Sequence, residues 1–346
     1  MALMDVFKEA TQQEILRELR AQSGLISVIA KGYDISSWEA LFEISRSGGA
    51  DKILSVGDQL IGTYKIDDTH EYSCPWDVID FRDVTAKVNG VEVEYKNVPL
   101  IQMHYTGHEN QPYDPAELTE ATETTAQSDV FYCGFDGTNY TMLSLAAGST
   151  IPYGDYTKVY KTPYNSVNAI RYGNSDWALS WLRQYLNNSG TGWAQKTHDY
   201  DVLPNDAENI KGFLTYLDAG LVDNLHPVKV LTKQSNWAGN QLLETWDKLF
   251  PLAVAEMNMS HGAVSTEEGE PTAFYKALLE SETKKPTGTY PALIKYAVNA
   301  NTSAQTVRLR SSSLGYAYVW FVSRSGYVTY DNPMNGYRVA PACYPV

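Results

Sequence analysis

Apolar residues recur at helical spacing at the start of the chain, where Val6, Ala10, Ile15, Leu16 and Leu19 share a face and Gly24 stands as a stop. Residues 5–30 therefore predict one or two helices. Such a helix either packs on its own domain or meets a neighbouring molecule, and the pattern leaves both open. A shorter helix follows in SSWEALFEISRSG, with Ser36 or Ser37 as cap, Glu39 in the first turn, and Gly48 and Gly49 ending it. From ILSVGDQLIGTYKI onward the period falls to two. Strands are predicted over 58–66, 76–84, 91–95 and 98–105, with Asn89-Gly90 as a hairpin turn. Trp76, Val78, Ile79 and Phe81 mark a buried strand. The acidic, aliphatic-poor stretch ENQPYDPAELTEATETTAQSD reads as a long surface excursion.

The middle of the chain is more helical. In NSDWALSWLRQYLNNSGTGW, Ser175 or Asp176 caps a helix whose apolar face carries Trp177, Leu179, Trp181, Leu182, Tyr185 and Leu186. Further helices are predicted in NIKGFLTYLDAGLVDNL and TAFYKALLES, and WDKLFPLAVAEM reads as a strand turning into a short helix. Strands return in TVRLRS, YAYVWFVS, YVTY and YRVAPA. No internal repeat is visible.

Composition narrows the class. The chain has 346 residues, 43% of them hydrophobic and 20% charged, which excludes wholesale disorder; 24 Gly, 15 Pro and 25 Tyr favour turns and strands. Its formal charge of −14 opposes phosphate, so nucleic acid is not an expected partner. No run approaches the roughly 18 apolar residues of a membrane span. The start, MALMDVFKEATQQEILRELR, is a charged helical pattern rather than a signal peptide, so synthesis and folding in a cytoplasm are expected.

Motifs for catalysis are scarce. Cys74, Cys133 and Cys343 are odd in number and widely spaced, which fits buried thiols better than a disulfide framework or a CxxC metal site. His104 and His108 stand four apart without the intervening Glu of a zinc hydrolase, and His198 beside Asp199, His226 and His261 are scattered. No GxSxG, P-loop or GxGxxG follows a predicted strand. ENQPYD and YDNP offer oxygens for calcium, but Asn, Asp and Pro also belong to plain turns. The expectation is no catalytic residue, no metal and no cofactor.

The last segment differs in kind. Residues 316–337 hold seven aromatics, Tyr316, Tyr318, Trp320, Phe321, Tyr327, Tyr330 and Tyr337, far above the 12% of the whole chain. As a strand, Tyr316, Tyr318, Trp320 and Val322 share one face and Ala317, Val319, Phe321 and Ser323 the other. Tyr, Ser, Asn and Gly are favoured in binding loops, because Tyr offers contact area at low entropic cost. An aromatic core hairpin is the alternative. The predicted ligand contacts are Tyr316, Tyr318, Trp320, Ser323, Arg324, Tyr327, Tyr330, Asp331, Asn332, Asn335 and Tyr337.

Three stretches in order, YGNSDWALSWLRQYLNN, DKLFPLAVAEM and VRLRSSSLGYAYVWFVSRSGYVTYDNPMNGYRVAPACYPV, resemble phage and prophage proteins of gut Firmicutes whose C-terminal half has a C-type-lectin-like fold of the formylglycine-generating-enzyme type. Arg310-Ser311, Gly326 and the RVAPA of 338–342 match recurring features of that family. VGDQLIGTY, PWDVIDFRDV and IPYGDYTKVY extend the similarity over roughly residues 50–346. The resemblance implies an α+β, C-type-lectin-like fold with mixed or antiparallel sheets and few helices, preceded by a helical segment. It divides the chain into 1–49 for assembly, 50–150 as a β-rich region able to supply the first strands, and 151–346 as the lectin-like domain. It also implies a virion protein, made in the bacterial host, that binds a host-surface protein or glycan beside other virion proteins. Since repeated copies would raise avidity, a homo-oligomer is expected, with a trimer favoured. In related proteins retroelements diversify the last strands, and YVTYDNPMNGY has the matching composition. An architectural capsid or tail role is the first alternative. A formylglycine-generating metalloenzyme is the second, although only Cys343 lies near the end and that chemistry uses a cysteine pair.

Overall fold

The structure is a computed structural model and describes residues 2–32, 34, 36–116, 118–162, 164–196, 201–236, 239–260, 262–280, 284 and 288–346, with backbone alone for 2–11 and 301. The side chains of Val6 and Ala10, and the whole of His198, Asp199 and His261, lie outside the described residues. Two helices open the chain, α1 (Ala2–Lys31) and α2 (Trp38–Ser47). Ser37 caps α2 by accepting from the Ala40 amide, and Gly48 closes it in the left-handed region. Gly24 does not end α1. A Cβ there would stand 2.7 Å from Ser47 Oγ and 3.1 Å from Ile44 Cα, so this glycine lets the two helices touch.

Helix α1 therefore has two faces. Val28 is buried toward α2, and Ala21 is buried against Gly49 just beyond it. On the other side Ile15, Leu19, Ile26 and Ile29 are 54%, 57%, 65% and 76% exposed. At about 100° per residue these four and Gln22 fall on one stripe, with the alternating steps of four and three that mark a coiled-coil seam.

The strands are β1 (Gln59–Leu60), β2 (Thr63–Lys65), β3 (Glu71–Ser73), β4 (Trp76–Val88), β5 (Val91–Met103), β6 (Thr119–Glu120), β7 (Phe131–Phe135), β8 (Tyr140–Leu143), β9 (Lys158–Thr162), β10 (Val228–Lys233), β11 (Leu242–Asp247), β12 (Lys295–Ala297), β13 (Ala300–Gln305), β14 (Val307–Ser312), β15 (Val319–Val322), β16 (Val328–Asp331) and β17 (Ala342–Cys343). Their pairings are antiparallel throughout. The main sheet runs β11-β10-β4-β5-β17 with β1 beside β4. A second sheet runs β6-β9-β7-β8, and a third β14-β15-β16. The chain is a mixed α+β protein with mostly antiparallel sheets.

Strands β4 and β5 form one long hairpin around Asn89 (φ 50°) and Gly90 (φ 84°), the positive-φ pair that suits strand twist. The two strands predicted over 91–105 are one; the break between them is an irregularity at Asn97 (φ 51°), whose amide donates to Asp83. The chain's last residues return to this sheet, Ala342 opposite Gln102 and Cys343 opposite Ile101, and Val346 is fully buried. One apolar core runs from Leu41 to Val346, so the main sheet joins residues on both sides of position 150.

Three helix and loop expectations shift. Trp177–Leu179 is a single 3-10 turn capped by Asp176, and the helix proper is α4 (Trp181–Asn187), capped by Ser180, after the short α3 (Val167–Tyr172). Leu179 consequently points to solvent, 55% exposed. NIKGFLTYLDAGLVDNL breaks into a 3-10 turn, Phe213–Tyr216, and α5 (Ala219–Val222), whereas TAFYKALLES holds α6 (Ala273–Leu278) as expected. The predicted surface excursion passes through the core first: Gln111, Tyr113 and Asp114 are buried, and Tyr113 Oη donates to the Arg310 carbonyl at 3.0 Å.

All six residues of β14 are buried, two of them arginines. Arg310 donates to the carbonyls of Leu231, Pro251 and Glu268 and to Glu256 Oε2 at 2.6 Å, so β10 and two long loops meet on one guanidinium. Arg82 reaches the other oxygen of Glu256 at 3.5 Å. Glu268 accepts from the Lys233 amide and Ser311 Oγ, and burial, only partly offset by Arg310, pushes its carboxyl up to about 7. The unfolded carboxyl ionises near its usual 4.5, so between about pH 4.5 and 7 the unfolded state sheds a proton that the folded state keeps. Folding stability attributable to Glu268 is therefore lost as pH rises through that window. Urea denaturation of wild type and Glu268→Gln from pH 5 to 8 should show the variant gaining up to about 3 kcal/mol relative to wild type by pH 7.5. Parallel profiles would show that the carboxyl does not titrate there.

Candidate functional site

The hairpin β15–β16 pairs Val319 with Asp331 at one end and Val322 with Val328 at the other, a run of roughly 10 Å. This separates the eleven predicted contact residues into groups. At the first end, Tyr316, Tyr318 and Tyr330 stand with ring centroids 5.5–5.9 Å apart and planes within 22° of parallel. Tyr316 is 51% exposed and the other two are half-buried. Trp320 meets Tyr330 edge-on at 4.9 Å and is fully buried. Trp320 is thus a core residue supporting the ledge from behind, not a contact residue; its place in mid-strand turns it inward.

The turn at the far end holds Ser323, Arg324 and Tyr327. Ser323 Oγ accepts from the amides of Ser325 and Tyr327, and Gly326 exchanges backbone contact with Tyr290, which fixes the turn against residues 288–290. Arg324 and Tyr327 are exposed there, away from the ledge.

The remaining four residues form an internal network. Asp331 accepts from Asn335 Nδ2 at 2.7 Å, Tyr337 Oη at 2.8 Å and the Asn332 amide at 2.7 Å. Arg308, fully buried, donates to the carbonyls of Val319, Asn332 and Asn335 and lies 4.4 Å from the Tyr337 ring centroid. Burial lowers its guanidinium to about 10, which still leaves it charged near neutrality. Burial and the bond to Asp331 raise the Tyr337 phenol to about 12. These donors occupy both carboxylate oxygens of Asp331 and the Asn332 carbonyl, while the buried Asn332 Oδ1 has no hydrogen-bond partner. The groups present here are rings and amides suited to contact; Asp331 and Arg308 are engaged with one another's loop, while Arg324 stands exposed at the far turn.

A cavity of about 400 Å³ opens beside Ala317. Asn174, to which the sequence gives no role, and Asp176, which it marks only as a candidate cap, lie in its wall, and their chemistry is not legible from the local motif.

The described thiols and histidines do not gather. Cys74, Cys133 and Cys343 are buried on different strands or their flanks, and burial raises all three, Cys74 to about 12. His104 bonds Asp77, and His108 bonds Tyr64 Oη and Glu109, so the pair separated by four residues serves two different places. Among the described residues no group of three or more His, Cys, Asp or Glu could hold one metal ion. Nor is any of their helices long and apolar enough to cross a membrane.

A family model described as a domain of unknown function, DUF6273, matches residues 154–344. The chain belongs to the DUF6273 family. No curated protein and no solved structure matches it. In this DUF6273 protein the matched stretch contains β14–β16 with both buried arginines, while β4 and β5, to which β10 and β17 pair, precede it.

Arg308→Lys tests the network. An ammonium cannot span three carbonyls held by a planar guanidinium, and unpartnered buried carbonyls are costly. The variant should lose about 2–4 kcal/mol in chemical denaturation, and hydrogen exchange should quicken first at residues 328–337. Unchanged stability would show that the three carbonyls find other donors.

Proposed function

We propose that this DUF6273 protein is a non-catalytic binding module with a C-type-lectin-like arrangement, displayed on a phage particle, that recognises a host-surface protein or glycan through the tyrosine ledge. The carrying observation is the set of near-parallel rings of Tyr316, Tyr318 and Tyr330, open to solvent on one side and backed by buried Trp320. Pre-positioned aromatic area of this kind is what binding surfaces use as anchors. Support for the lectin-like arrangement comes from the terminal strand, which is anchored in the main sheet and so leaves the preceding loops free to face outward. The virion setting rests on the resemblance carried by the ordered motifs from YGNSDW to RVAPA. Arg324 and Tyr327 belong to a separate exposed turn, and Asp331, Asn332, Asn335 and Tyr337 hold the ledge's base in place.

Binding by a single ledge need only be modest if copies act together. The apolar stripe on α1 is the surface on which a second copy of this chain would seat, because identical helices in register bring Ile15, Leu19, Ile26 and Ile29 against themselves and let Gln22 pair with Gln22. Light scattering of the full chain should show an oligomer, a trimer being favoured, and Ile26→Glu with Ile29→Glu should reduce it to monomers with circular dichroism otherwise retained. An oligomer indifferent to both changes would place assembly elsewhere.

Recognition is tested separately. Fluorescently labelled protein carrying Tyr316→Ala, Tyr318→Ala and Tyr330→Ala should bind a panel of gut Firmicutes cells at least about tenfold more weakly than wild type, at 1.4 kcal/mol per factor of ten, with its thermal transition within a few degrees. Full retention of cell binding would sink the ledge reading. Intact cell binding with failed incorporation into particles would instead favour the architectural role.

A further inference from the structure

The cavity beside Ala317 lies between elements that are distant in sequence: β7 supplies Phe131, the start of α3 supplies Ser166 and Ala169, and the loop after β10 supplies Gln234 and Ser235. Its volume of about 400 Å³ falls within the range of small-molecule sites. The wall is layered. Buried Ala169, Ala317, Asn174 and Asp176 lie deep, while Phe131, Leu179 and Asn236 are exposed at the rim.

Asn174 is the decisive residue. It is 3% exposed, its amide donates to Asp114 Oδ2 at 2.7 Å, and its Oδ1 accepts from the Asp176 amide at 3.3 Å. Its Nδ2 has no hydrogen-bond partner. A buried amide donor left unpaired costs about 1–3 kcal/mol, which a ligand acceptor would recover. Beside it, Asp176 accepts one bond on each oxygen, from the Ala178 amide at 3.0 Å and Gln234 Nε2 at 2.5 Å, and so retains lone pairs for a hydroxyl donor. A free donor next to an acceptor with spare capacity is the complement of neighbouring hydroxyl groups. The rings of Phe131 and Tyr164 and the side chain of Leu179 add apolar surface for a C–H face. Among the lining residues Asp176 is the one charged group and none is a cation, so phosphate or carboxylate ligands would meet repulsion within the cavity.

We propose that this cavity binds a neutral, hydroxyl-rich ligand, one uncharged sugar residue, with Asn174 and Asp176 pairing its hydroxyls and Phe131 covering one face. The site uses none of the ledge tyrosines and can be right or wrong independently of them. Saturation-transfer NMR on the full chain would use glucose, galactose, mannose, rhamnose, N-acetylglucosamine and N-acetylgalactosamine, with glucuronic and N-acetylneuraminic acids as anionic controls. At least one neutral sugar should receive saturation and the acids should receive less. Asn174→Asp keeps the acceptor for the Asp176 amide but removes the free donor; Phe131→Ala removes a half-exposed wall with little effect on folding. Each should weaken binding about tenfold or more, the equivalent of 1.4 kcal/mol, with circular dichroism unchanged, and the triple tyrosine variant should bind like wild type. The proposal is overturned if no neutral sugar in the panel binds, if the acids bind best, or if a folded Phe131→Ala binds as wild type does.

Discussion

A guanidinium withdrawn from water must be surrounded by acceptors, and β14 places two of them, Arg308 and Arg310, on one fully buried strand. Each therefore dictates where chain segments without regular structure must lie. Arg310 gathers carbonyls from β10, the loop after β11 and the segment around Glu268, with Glu256 as counter-ion. Arg308 gathers three carbonyls from the hairpin and the last loop, with no carboxylate of the described residues in ion-pair contact. Residues spaced by two would face the same side of an isolated strand, but here the register shifts between Arg308 and Ser312. The two arginines thus serve separate territories, one toward the core and one toward the surface that the proposed function uses.

The difference between the two arginines has energetic meaning. A buried ion pair contributes little net stability relative to an apolar replacement, yet removing one partner is severe. Arg310 with Glu256 and the easily protonated Glu268 is a device of that kind, specifying one arrangement of loops more than adding to its depth. Arg308 has backbone carbonyls as its partners, which do not titrate, so the terminal loop is held in the same way across the physiological pH range. The ledge inherits its position from that loop through Tyr330, which precedes Asp331.

Legibility in the sequence follows how local each determinant is. Ser37, Asn89-Gly90 and the alternation around Trp76 act within a few residues, and their elements form where the pattern placed them. Gly24 misleads because its role is contact with α2, twenty residues away, which looks identical to a helix stop when only its own neighbours are visible. Tyr113 sits in an acidic stretch whose composition indicates solvent, yet its partner is the carbonyl of Arg310, nearly two hundred positions on. The ledge was partly legible, since aromatic crowding marked the segment, but composition could not separate rings facing out from Trp320 facing in. Asp176 reads as an ordinary capping residue and Asn174 goes unmarked, because Gln234, Phe131 and Ala317, which turn them into the wall of a cavity, come from elsewhere in the chain.

The division of the last segment also bears on which of its residues can vary without cost to the fold. Asp331, Asn335 and Tyr337 are tied to one another, and the carbonyls of Asn332 and Asn335 are tied to Arg308, so altering these residues disturbs the scaffold along with the surface. Tyr316 and Tyr318 have their chief side-chain contacts within the ledge itself, apart from that network. Replacing them removes ring–ring contact worth about 1 kcal/mol per pair at partly exposed positions, against several for a member of the Arg308 network. The composition that marked YVTYDNPMNGY as adaptable therefore overlaps with the part least free to vary, and physical latitude lies a few residues earlier, at 316 and 318, and in the exposed turn at 324–327.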